Sequence, residues 1–170
     1  DKNISKSIEI NIIGTCNIVK ICSKFKIKLI FFSTNYVYPS KSGIYKESDS
    51  LLPRNTYAWS KLGGESAVSM YKNSLILRIC MTENPFIHKK AFANMKTNFM
   101  FQEELAKNLY KLINYKGIIN IGGKIQSVYS FAKKYNPKVK KIFASKSQQK
   151  QFPLNSTMNI LKFKKIIQKK

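Results

Sequence analysis

The chain has 170 residues, of which 44% are hydrophobic and 12% aromatic. Its 31 Lys and Arg against 8 Asp and Glu give a formal net charge of +23. This composition excludes a disordered chain, and the length suffices for one domain with a buried core. Since no apolar run approaches the roughly 20 residues that span a bilayer, the sequence predicts no membrane insertion.

The positive charge is carried almost entirely by lysine, because only Arg54 and Arg78 are arginines. Lysines occur along the whole chain instead of gathering in one basic segment. This spread indicates a compositional bias at solvent-exposed positions more than a dedicated nucleic-acid surface. The sequence therefore predicts no specific nucleic-acid partner and only salt-sensitive, non-specific binding to polyanions.

Three cysteines, Cys16, Cys22 and Cys80, fit neither a disulfide framework nor a metal-ligand spacing. This spacing predicts no metal site. Since no signal peptide opens the chain, a reducing cytoplasm is the expected location. The three residues fall in apolar segments, which predicts that they are small buried hydrophobic side chains.

Helices and strands alternate in the predicted secondary structure. In chain order we expect a helix over 6–24, a strand over 27–33, a loop over 39–55, a helix over 56–71, a strand over 74–79, a loop over 81–100, a helix over 103–113, a strand over 117–121, and helices over 127–135 and 159–167. Ser156 or Thr157 is expected to cap the last helix. Short buried strands between helices predict an α/β fold with a parallel sheet.

A tyrosine and a lysine four residues apart follow the first predicted strand and its loop. Ser33 and Thr34 end that strand, at the edge where open α/β sheets bind ligands. Tyr57 and Lys61 share one face of the next helix, because residues i and i+4 lie one turn apart. A nearby ammonium lowers the pKa of a phenol by favouring the phenolate. Tyr57 is therefore a candidate acid–base group, with the Thr34 hydroxyl placed to bind the oxygen that receives its proton.

The Tyr-x-x-x-Lys spacing alone is not specific, because the many lysines produce such pairs by chance. Tyr129 and Lys133 form a second pair. The alternative interpretation is that Tyr57 packs against the preceding loop and Lys61 is a solvated surface lysine. The strand, the Ser-Thr pair and the turn-rich loop favour the chemical interpretation. Trp59 is interpreted as an anchor that packs the helix onto the protein.

Several linked segments carry a family resemblance. They are Phe32–Tyr38, Ile44–Asp49 and Pro53–Glu65, with shorter matches at Asn11–Thr15, Leu75–Arg78 and Phe152–Asn159. In this order they resemble the extended short-chain dehydrogenase/reductases, and among these most closely the dTDP-4-dehydrorhamnose reductases. The resemblance is close over residues 1–80 and loose over the remainder.

The resemblance implies the carboxyl-terminal part of a doubly wound, Rossmann-like parallel sheet with a small substrate-binding region. Residues 1–80 would form the catalytic part of an NAD(P)-binding domain, and residues 81–170 the remaining strands and the substrate-binding region. The same resemblance assigns roles to five side chains. Tyr57 would protonate the sugar ketone, Lys61 would lower the pKa of Tyr57 and bind the nicotinamide ribose, Thr34 would supply the third catalytic hydroxyl, and Ser33 and Asn11 would support the cofactor side of the site.

The implied reaction is reduction of a nucleotide-linked 4-keto-sugar by NADPH or NADH, leading to deoxysugar precursors of cell-surface polysaccharide. The resemblance also allows a homodimer. Two alternatives stay open. One is an NAD-dependent nucleotide-sugar epimerase or dehydratase, and the other is a non-catalytic, truncated sugar-nucleotide-binding module.

The chain departs from the family because it contains no Gly-x-x-Gly-x-x-Gly phosphate-binding loop. We therefore expect an amino-terminally truncated member that binds NADPH poorly on its own and exposes an apolar sheet edge over 27–32. Segment 81–100 is short where the family builds a substrate loop, so contacts with the substrate are not assigned there.

Overall fold

The computed structural model describes residues 3–151 and 153–168. The helices are α1 (Ile4–Ile8), α2 (Thr15–Phe25), α3 (Thr56–Ser69), α4 (Gln102–Leu109), α5 (Val128–Tyr135), α6 (Lys146–Gln151) and α7 (Leu161–Ile167), with a π-helical segment over Glu9–Gly14 and a 3-10 turn over Asn35–Val37. The strands are β1 (Leu29–Thr34), β2 (Ser74–Ile79), β3 (Met81–Thr82), β4 (Lys90–Phe92), β5 (Lys96–Thr97), β6 (Met100–Phe101), β7 (Gly117–Ile121), β8 (Gln126–Ser127) and β9 (Lys140–Ile142).

Three parallel strands in the order β1-β2-β7 form the main sheet. Thr34 pairs with Ile79, and Ile79 with Ile121, so the three strands end at the same edge. The central strand β2 is buried along its whole length, as expected where both faces of a parallel sheet are covered. The predicted α/β fold with a parallel sheet is confirmed, and so are the predicted strands over 74–79 and 117–121.

Apolar side chains from the sheet pack against helices on both faces. On one face, Leu75 and Leu77 of β2 join a core cluster with Phe163 of α7. On the other face, Ile76 packs with Phe31 of β1 and with Val68 of α3. Successive strand residues point to opposite faces, so one apolar strand serves both cores. Each fully buried aliphatic side chain contributes about 1.5–3 kcal/mol to the free energy of folding.

The first predicted helix, over 6–24, is present, but the segment Glu9–Gly14 in its amino-terminal half has π-helical geometry. α3 approaches this π-helical segment closely, because Gly63 and Gly64 carry no side chain at the contact. A Cβ on Gly64 would lie 2.4 Å from the carbonyl oxygen of Asn11, and one on Gly63 would lie 2.8 Å from Ile12 Cδ1. The close approach lets the Asn11 side chain reach α3.

Strand β1 pairs on one side with β2, and within the described residues its other edge has no strand partner. Phe32 is 40% exposed and Ile27 is 49% exposed. The predicted apolar edge over 27–32 is therefore present in the structure. The association expected from such an edge stays a prediction.

Segment 81–100 is not the loop that the sequence predicts. It contains β3, β4 and β5, and ends at β6, all two or three residues long. Strand β3 pairs with β6, β4 with the unpredicted β9, and β5 with β8, so these segments are held by distant parts of the chain. Ladders this short show no alternation of apolar residues, which is why the sequence pattern gave no signal.

The predicted cap of the last helix is wrong. The Leu161 amide donates to Asn159 Oδ1 (3.0 Å) as α7 begins. Ser156 and Thr157 are buried elsewhere: Asn35 Nδ2 donates to Ser156 Oγ (2.7 Å), and the Ile44 amide donates to Thr157 Oγ1 (2.9 Å). Both hydroxyls thus attach the tail to the segment that follows β1. Phe152, part of the resemblance in the tail, lies outside the described residues.

Among the described residues, no helix has both the length and the apolar character needed to cross a bilayer.

The two glycines at positions 14 and 64 give a matched test of the helix packing. Gly64→Ala should lower the free energy of unfolding by about 1–3 kcal/mol, because the new methyl group meets the Asn11 carbonyl. Gly14→Ala should be neutral or stabilising by up to about 1 kcal/mol, since position 14 is helical and its nearest atom lies 3.4 Å away. Urea denaturation of both variants measures the difference. Equal effects would contradict the close approach of the helices.

Candidate active site

The candidate site lies at the carboxyl end of β1, beside the first turn of α3. Asn55 caps α3, and its Oδ1 accepts a hydrogen bond from the Ala58 amide (2.8 Å). This cap begins the helix at Thr56 and puts Tyr57 in its first turn. Helix α3 contacts both β1, which ends at Thr34, and the 3-10 turn that follows it.

Two tyrosines of this region, Tyr36 and Tyr57, have raised pKa values. Burial raises the pKa of Tyr57, which is 43% exposed. Burial, together with the nearby Cys80 and Tyr57, raises the pKa of Tyr36 to about 12. Both phenols are therefore protonated at neutral pH.

Lys61 is half-buried one turn after Tyr57, and its Nζ lies 4.2 Å from the centre of the Phe31 ring. Burial lowers the pKa of Lys61, and Glu65 opposes that effect. In the part of the chain that the structure describes, the side chains of Tyr57 and Lys61 form no hydrogen bond or ion pair. The structure does not show the lowered pKa of Tyr57 that the sequence predicts, because the ammonium lies over Phe31 and burial dominates at Tyr57.

Ser33 and Thr34 have different surroundings, because adjacent strand residues point to opposite faces of a sheet. Thr34 Oγ1 accepts a hydrogen bond from the Tyr36 amide (3.2 Å), which keeps it at the candidate site. Ser33 Oγ donates to Glu65 Oε2 (2.6 Å) in the protein interior. The structure therefore brings Thr34, but not the Ser33 hydroxyl, to the side occupied by Tyr36.

Asn11 reaches the site indirectly. Its Nδ2 donates to Ser60 Oγ (3.0 Å), and Ser60 Oγ donates to the carbonyl oxygen of Tyr57 (2.8 Å). Asn11 belongs to the π-helical segment, a distortion that is frequent at functional sites. The side chain thus supports the first turn of α3 beneath Tyr57.

A buried ion pair lies behind the site, between Glu65 of α3 and Arg78 of β2. Glu65 Oε1 accepts hydrogen bonds from Arg78 Nη2 (2.5 Å) and Nε (3.0 Å). Arg78 Nη1 donates to Tyr38 Oη (2.8 Å) and to the carbonyl oxygen of Glu47 (3.1 Å). Both charged side chains are 3% exposed. The pair joins α3 to the central strand of the main sheet.

The network continues to β7 through Asn120. Asn120 Oδ1 lies 2.8 Å from Tyr38 Oη, which donates to it. The main-chain amide of Asn120 donates to Glu47 Oε1 (3.1 Å), and the side-chain Nδ2 of Asn120 donates to the carbonyl oxygen of Tyr45 (2.9 Å). All three main strands and the loop after β1 therefore share one polar network.

Sequence reasoning assigned no role to this network, although two signals in it could have been used. Glu65 stands four residues after Lys61 and is one of only 8 acidic residues in the chain. Arg78 interrupts the otherwise apolar run Leu75–Ile79. A charge inside a buried strand requires a buried partner, and Glu65 meets that requirement.

Other sequence interpretations have mixed outcomes. Cys22 and Cys80 are buried as predicted, whereas Cys16 is partly exposed.

Trp59 is 52% exposed, so its interpretation as a packing anchor is wrong. Among the described residues, no group of three or more His, Cys, Asp and Glu side chains could hold a metal ion.

A cavity of about 790 Å³ lies away from Tyr57, between the Gly122–Ile125 loop and the start of α7. Its lining includes none of the sequence-predicted site residues. This cavity is therefore distinct from the candidate site at the end of β1.

The raised pKa values near the site predict a loss of stability at alkaline pH. Burial raises the pKa of Cys80 from 9.0 to about 11 and that of Tyr36 from 10.0 to about 12. Since the folded state holds both protons more tightly, this stabilisation is complete below pH 9 and is lost as the pH rises toward 12. The free energy of unfolding should fall more steeply above pH 9 in the unmodified chain than in Tyr36→Phe/Cys80→Ala. Urea denaturation at several pH values measures both slopes, and equal slopes would oppose this account.

Comparisons with known proteins place the chain in a family. A family model described as the RmlD substrate binding domain matches residues 1–106. No curated protein sequence matches the chain. A hypothetical dTDP-4-dehydrorhamnose reductase from Sulfolobus tokodaii is similar in structure, with a TM-score of 0.83 and 26% identity, over 95% of this chain and 66% of its own.

Two further solved structures are similar at lower identity. The dTDP-4-dehydrorhamnose reductase of Bacillus anthracis, in complex with NADP, has a TM-score of 0.77 and 21% identity over 91% of this chain and 64% of its own. A UDP-N-acetylglucosamine 4-epimerase from Methanobrevibacter ruminantium M1, in complex with UDP-N-acetylmuramic acid, has a TM-score of 0.74 and 20% identity over 94% and 63%. The chain spans just under two thirds of the length of these proteins. It belongs to the RmlD substrate binding domain family, which confirms the family resemblance of its motifs.

Proposed function

We propose that the chain provides the catalytic and substrate-binding part of a reductase that acts on a nucleotide-linked 4-keto-sugar of the dTDP-4-dehydrorhamnose type. The observation that carries this proposal is the placement of the Tyr57 phenol and the Lys61 ammonium one helical turn apart on α3, which contacts the strand that ends at Thr34. Neither group has a hydrogen bond among the described residues. Family membership supports it, since solved structures similar to the chain include dTDP-4-dehydrorhamnose reductases. Deoxysugar synthesis for cell-surface polysaccharide is the proposed use of the product.

Tyr57 is proposed as the general acid that protonates the ketone oxygen. Reduction requires the protonated phenol, and burial raises its pKa, so the phenol is ready to donate at neutral pH. Thr34 would hydrogen-bond the same oxygen. Once the proton has left, the positive charge of Lys61 would stabilise the phenolate. In the direction of reduction, the rate should therefore decline only at alkaline pH, as Tyr57 loses its proton.

The residues present fit the nicotinamide end of a dinucleotide. Lys61 has a half-buried ammonium whose three donors bind no oxygen among the described residues, and a ribose diol offers suitable acceptors. The bound nicotinamide, as NADPH or NADH, supplies the hydride. Contacts to the pyrophosphate are proposed to come from a part of the enzyme that corresponds to the unmatched third of its relatives.

Asn11 and Ser33 are proposed to act through their neighbours. Asn11 supports the first turn of α3 through Ser60, and Ser33 binds Glu65. Residues 1–80 would thus supply the catalytic groups, while residues 81–170 complete the sheet and bind the sugar nucleotide.

A nucleotide-sugar epimerase is the second candidate function. A solved structure similar to the chain is a UDP-N-acetylglucosamine 4-epimerase. A tyrosine with a neighbouring lysine serves proton transfer in either direction, so the pair does not distinguish the two reactions. Net consumption of NADPH with a 4-keto-sugar identifies a reductase, whereas interconversion of sugars without net consumption identifies an epimerase. A non-catalytic binding module would bind the sugar nucleotide and do neither.

Substitution of Tyr57 tests the proposed reaction. The assay uses residues 1–170 fused behind the part of the Sulfolobus tokodaii reductase that this chain does not match. Tyr57→Phe should slow reduction of the 4-keto-sugar by ~10²-fold or more, the usual effect of losing a general acid. Tyr129→Phe is the matched control, because Tyr129 and Lys133 have the same spacing, and it should retain activity. Unchanged turnover in Tyr57→Phe would overturn the assignment.

NADPH binding distinguishes the cofactor contact proposed for Lys61 from the pyrophosphate contacts proposed for another part of the enzyme. Isothermal titration should detect weak binding or none with residues 1–170 alone, because one charge-assisted contact from Lys61 contributes only about 1.5–3 kcal/mol. The fusion should bind NADPH, and Lys61→Met should weaken that binding. Micromolar binding by residues 1–170 alone would show that this chain holds the pyrophosphate by itself.

A further inference from the structure

Residues 154–159, here called the tail segment, lie between two distant parts of the chain. On one side, the main-chain amide of Tyr45 donates to the carbonyl oxygen of Thr157 (3.0 Å). On the other side, the main-chain amide of Lys96 in β5 donates to the carbonyl oxygen of Leu154 (2.8 Å). Main-chain hydrogen bonds therefore hold the tail segment in place from both sides.

One contact of the tail segment reaches the residue that follows Thr34. This residue, Asn35, is 3% exposed, and its Nδ2 donates to Ser156 Oγ (2.7 Å) and to the carbonyl oxygen of Ser156 (3.3 Å). Ser156 is itself buried, so water does not compete for these hydrogen bonds. Because leaving a buried amide unbonded is costly, the two bonds give the Asn35 side chain one favoured orientation.

The orientation of the Asn35 amide determines which of its two polar atoms faces Thr34. With Nδ2 bound to Ser156, Oδ1 faces the Thr34 hydroxyl, which donates to it (3.4 Å). The main-chain amide of Tyr36 donates to the same hydroxyl oxygen (3.2 Å). One donor and one acceptor thus fix both the oxygen and the proton of Thr34. Since the bond to Oδ1 is long, a ligand oxygen at a shorter distance can replace it.

We propose that Asn35 and Ser156 are positioning residues of the site: Ser156 orients the Asn35 amide, and Asn35 Oδ1 holds the Thr34 hydroxyl in the orientation from which it binds the ketone oxygen. Ser156 exerts this effect from 121 residues further along the chain. The inference rests on the proposed role of Thr34, and it assigns neither positioning residue a contact with substrate or cofactor.

Two substitutions in the tail segment separate the orientation of Asn35 from the attachment of the tail segment itself. Ser156→Ala removes the hydroxyl that binds Asn35 Nδ2. Thr157→Val is the matched control, because Thr157 is equally buried and its hydroxyl accepts from the Ile44 amide (2.9 Å) instead. Each variant loses one buried hydrogen bond, so urea denaturation should show comparable losses of stability.

The orientation of Thr34 is measured first, on residues 1–170 alone and without substrate. Three-bond NMR couplings of the Thr34 methyl carbon report its χ1 rotamer. The unmodified chain and Thr157→Val should show one rotamer. Ser156→Ala should show averaged couplings, because the Asn35 amide is then free to turn Nδ2 toward Thr34. If Ser156→Ala does not fold, Ser156→Cys keeps the side-chain shape with only a weak acceptor and should show the same averaging.

Catalysis is then measured in the fusion, as a double-mutant cycle with Thr34→Val. Ser156→Ala should lower kcat roughly threefold to tenfold, the factor equivalent to one hydrogen bond, and leave KM unchanged. In the Thr34→Val background the same substitution should have no further effect, because the hydroxyl that it orients is gone. Thr157→Val should leave kcat unchanged.

Three results would overturn the inference: unchanged Thr34 couplings in a folded Ser156 variant, equal averaging in Thr157→Val, or a loss of kcat from Ser156→Ala that persists in the Thr34→Val background. An unmodified fusion without reductase activity would instead reject the proposed function. In that case the couplings would still decide whether Ser156 orients Thr34.

Discussion

The buried ion pair between Glu65 and Arg78 is the interaction on which the arrangement of the other elements depends. Removing two charges from water costs several kcal/mol per ion, which is offset only if the geometry is good and every remaining donor and acceptor is satisfied. The structure meets this condition: Ser33 occupies the second carboxylate oxygen, and Tyr38 and the Glu47 carbonyl accept from the guanidinium. Strands β1, β2 and β7, helix α3 and the loop after β1 are consequently fixed relative to one another.

The site differs from this network in how its polar groups are used. Glu65 and Arg78 have all their partners inside the protein, whereas the side chains of Tyr57 and Lys61 have no hydrogen bond among the described residues. Polar groups that are half-buried and unpaired are available to a ligand, and fully bonded ones hold them in place. In this account the ion-pair network and the pair Tyr57 and Lys61 share α3. The contacts that fix α3 to the sheet therefore also determine where these two side chains lie.

The sequence predicted features that follow from local patterns, and it did not predict contacts between residues far apart in the chain. Strand β2 and the pair Tyr57 and Lys61 were predictable, because a buried apolar run and an i, i+4 spacing are local patterns. The ion pair was not predicted, because Glu65 and Arg78 lie 13 residues apart on different elements and the other partners of Arg78 lie 31 to 40 residues away. The two-residue strands of segment 81–100 have no periodicity of their own and form only against distant partners. Trp59 was misinterpreted because aromatic character alone does not determine burial.

A double-mutant cycle on the ion pair tests the central claim most directly. Urea denaturation would give the free energy of unfolding of the unmodified chain, Glu65→Gln, Arg78→Met and the double variant. Each single substitution leaves a buried group unpaired and should cost about 3–5 kcal/mol, while the double variant should cost clearly less than the sum. Additive losses would show that the two residues act independently, and the ion pair would then not organise the site.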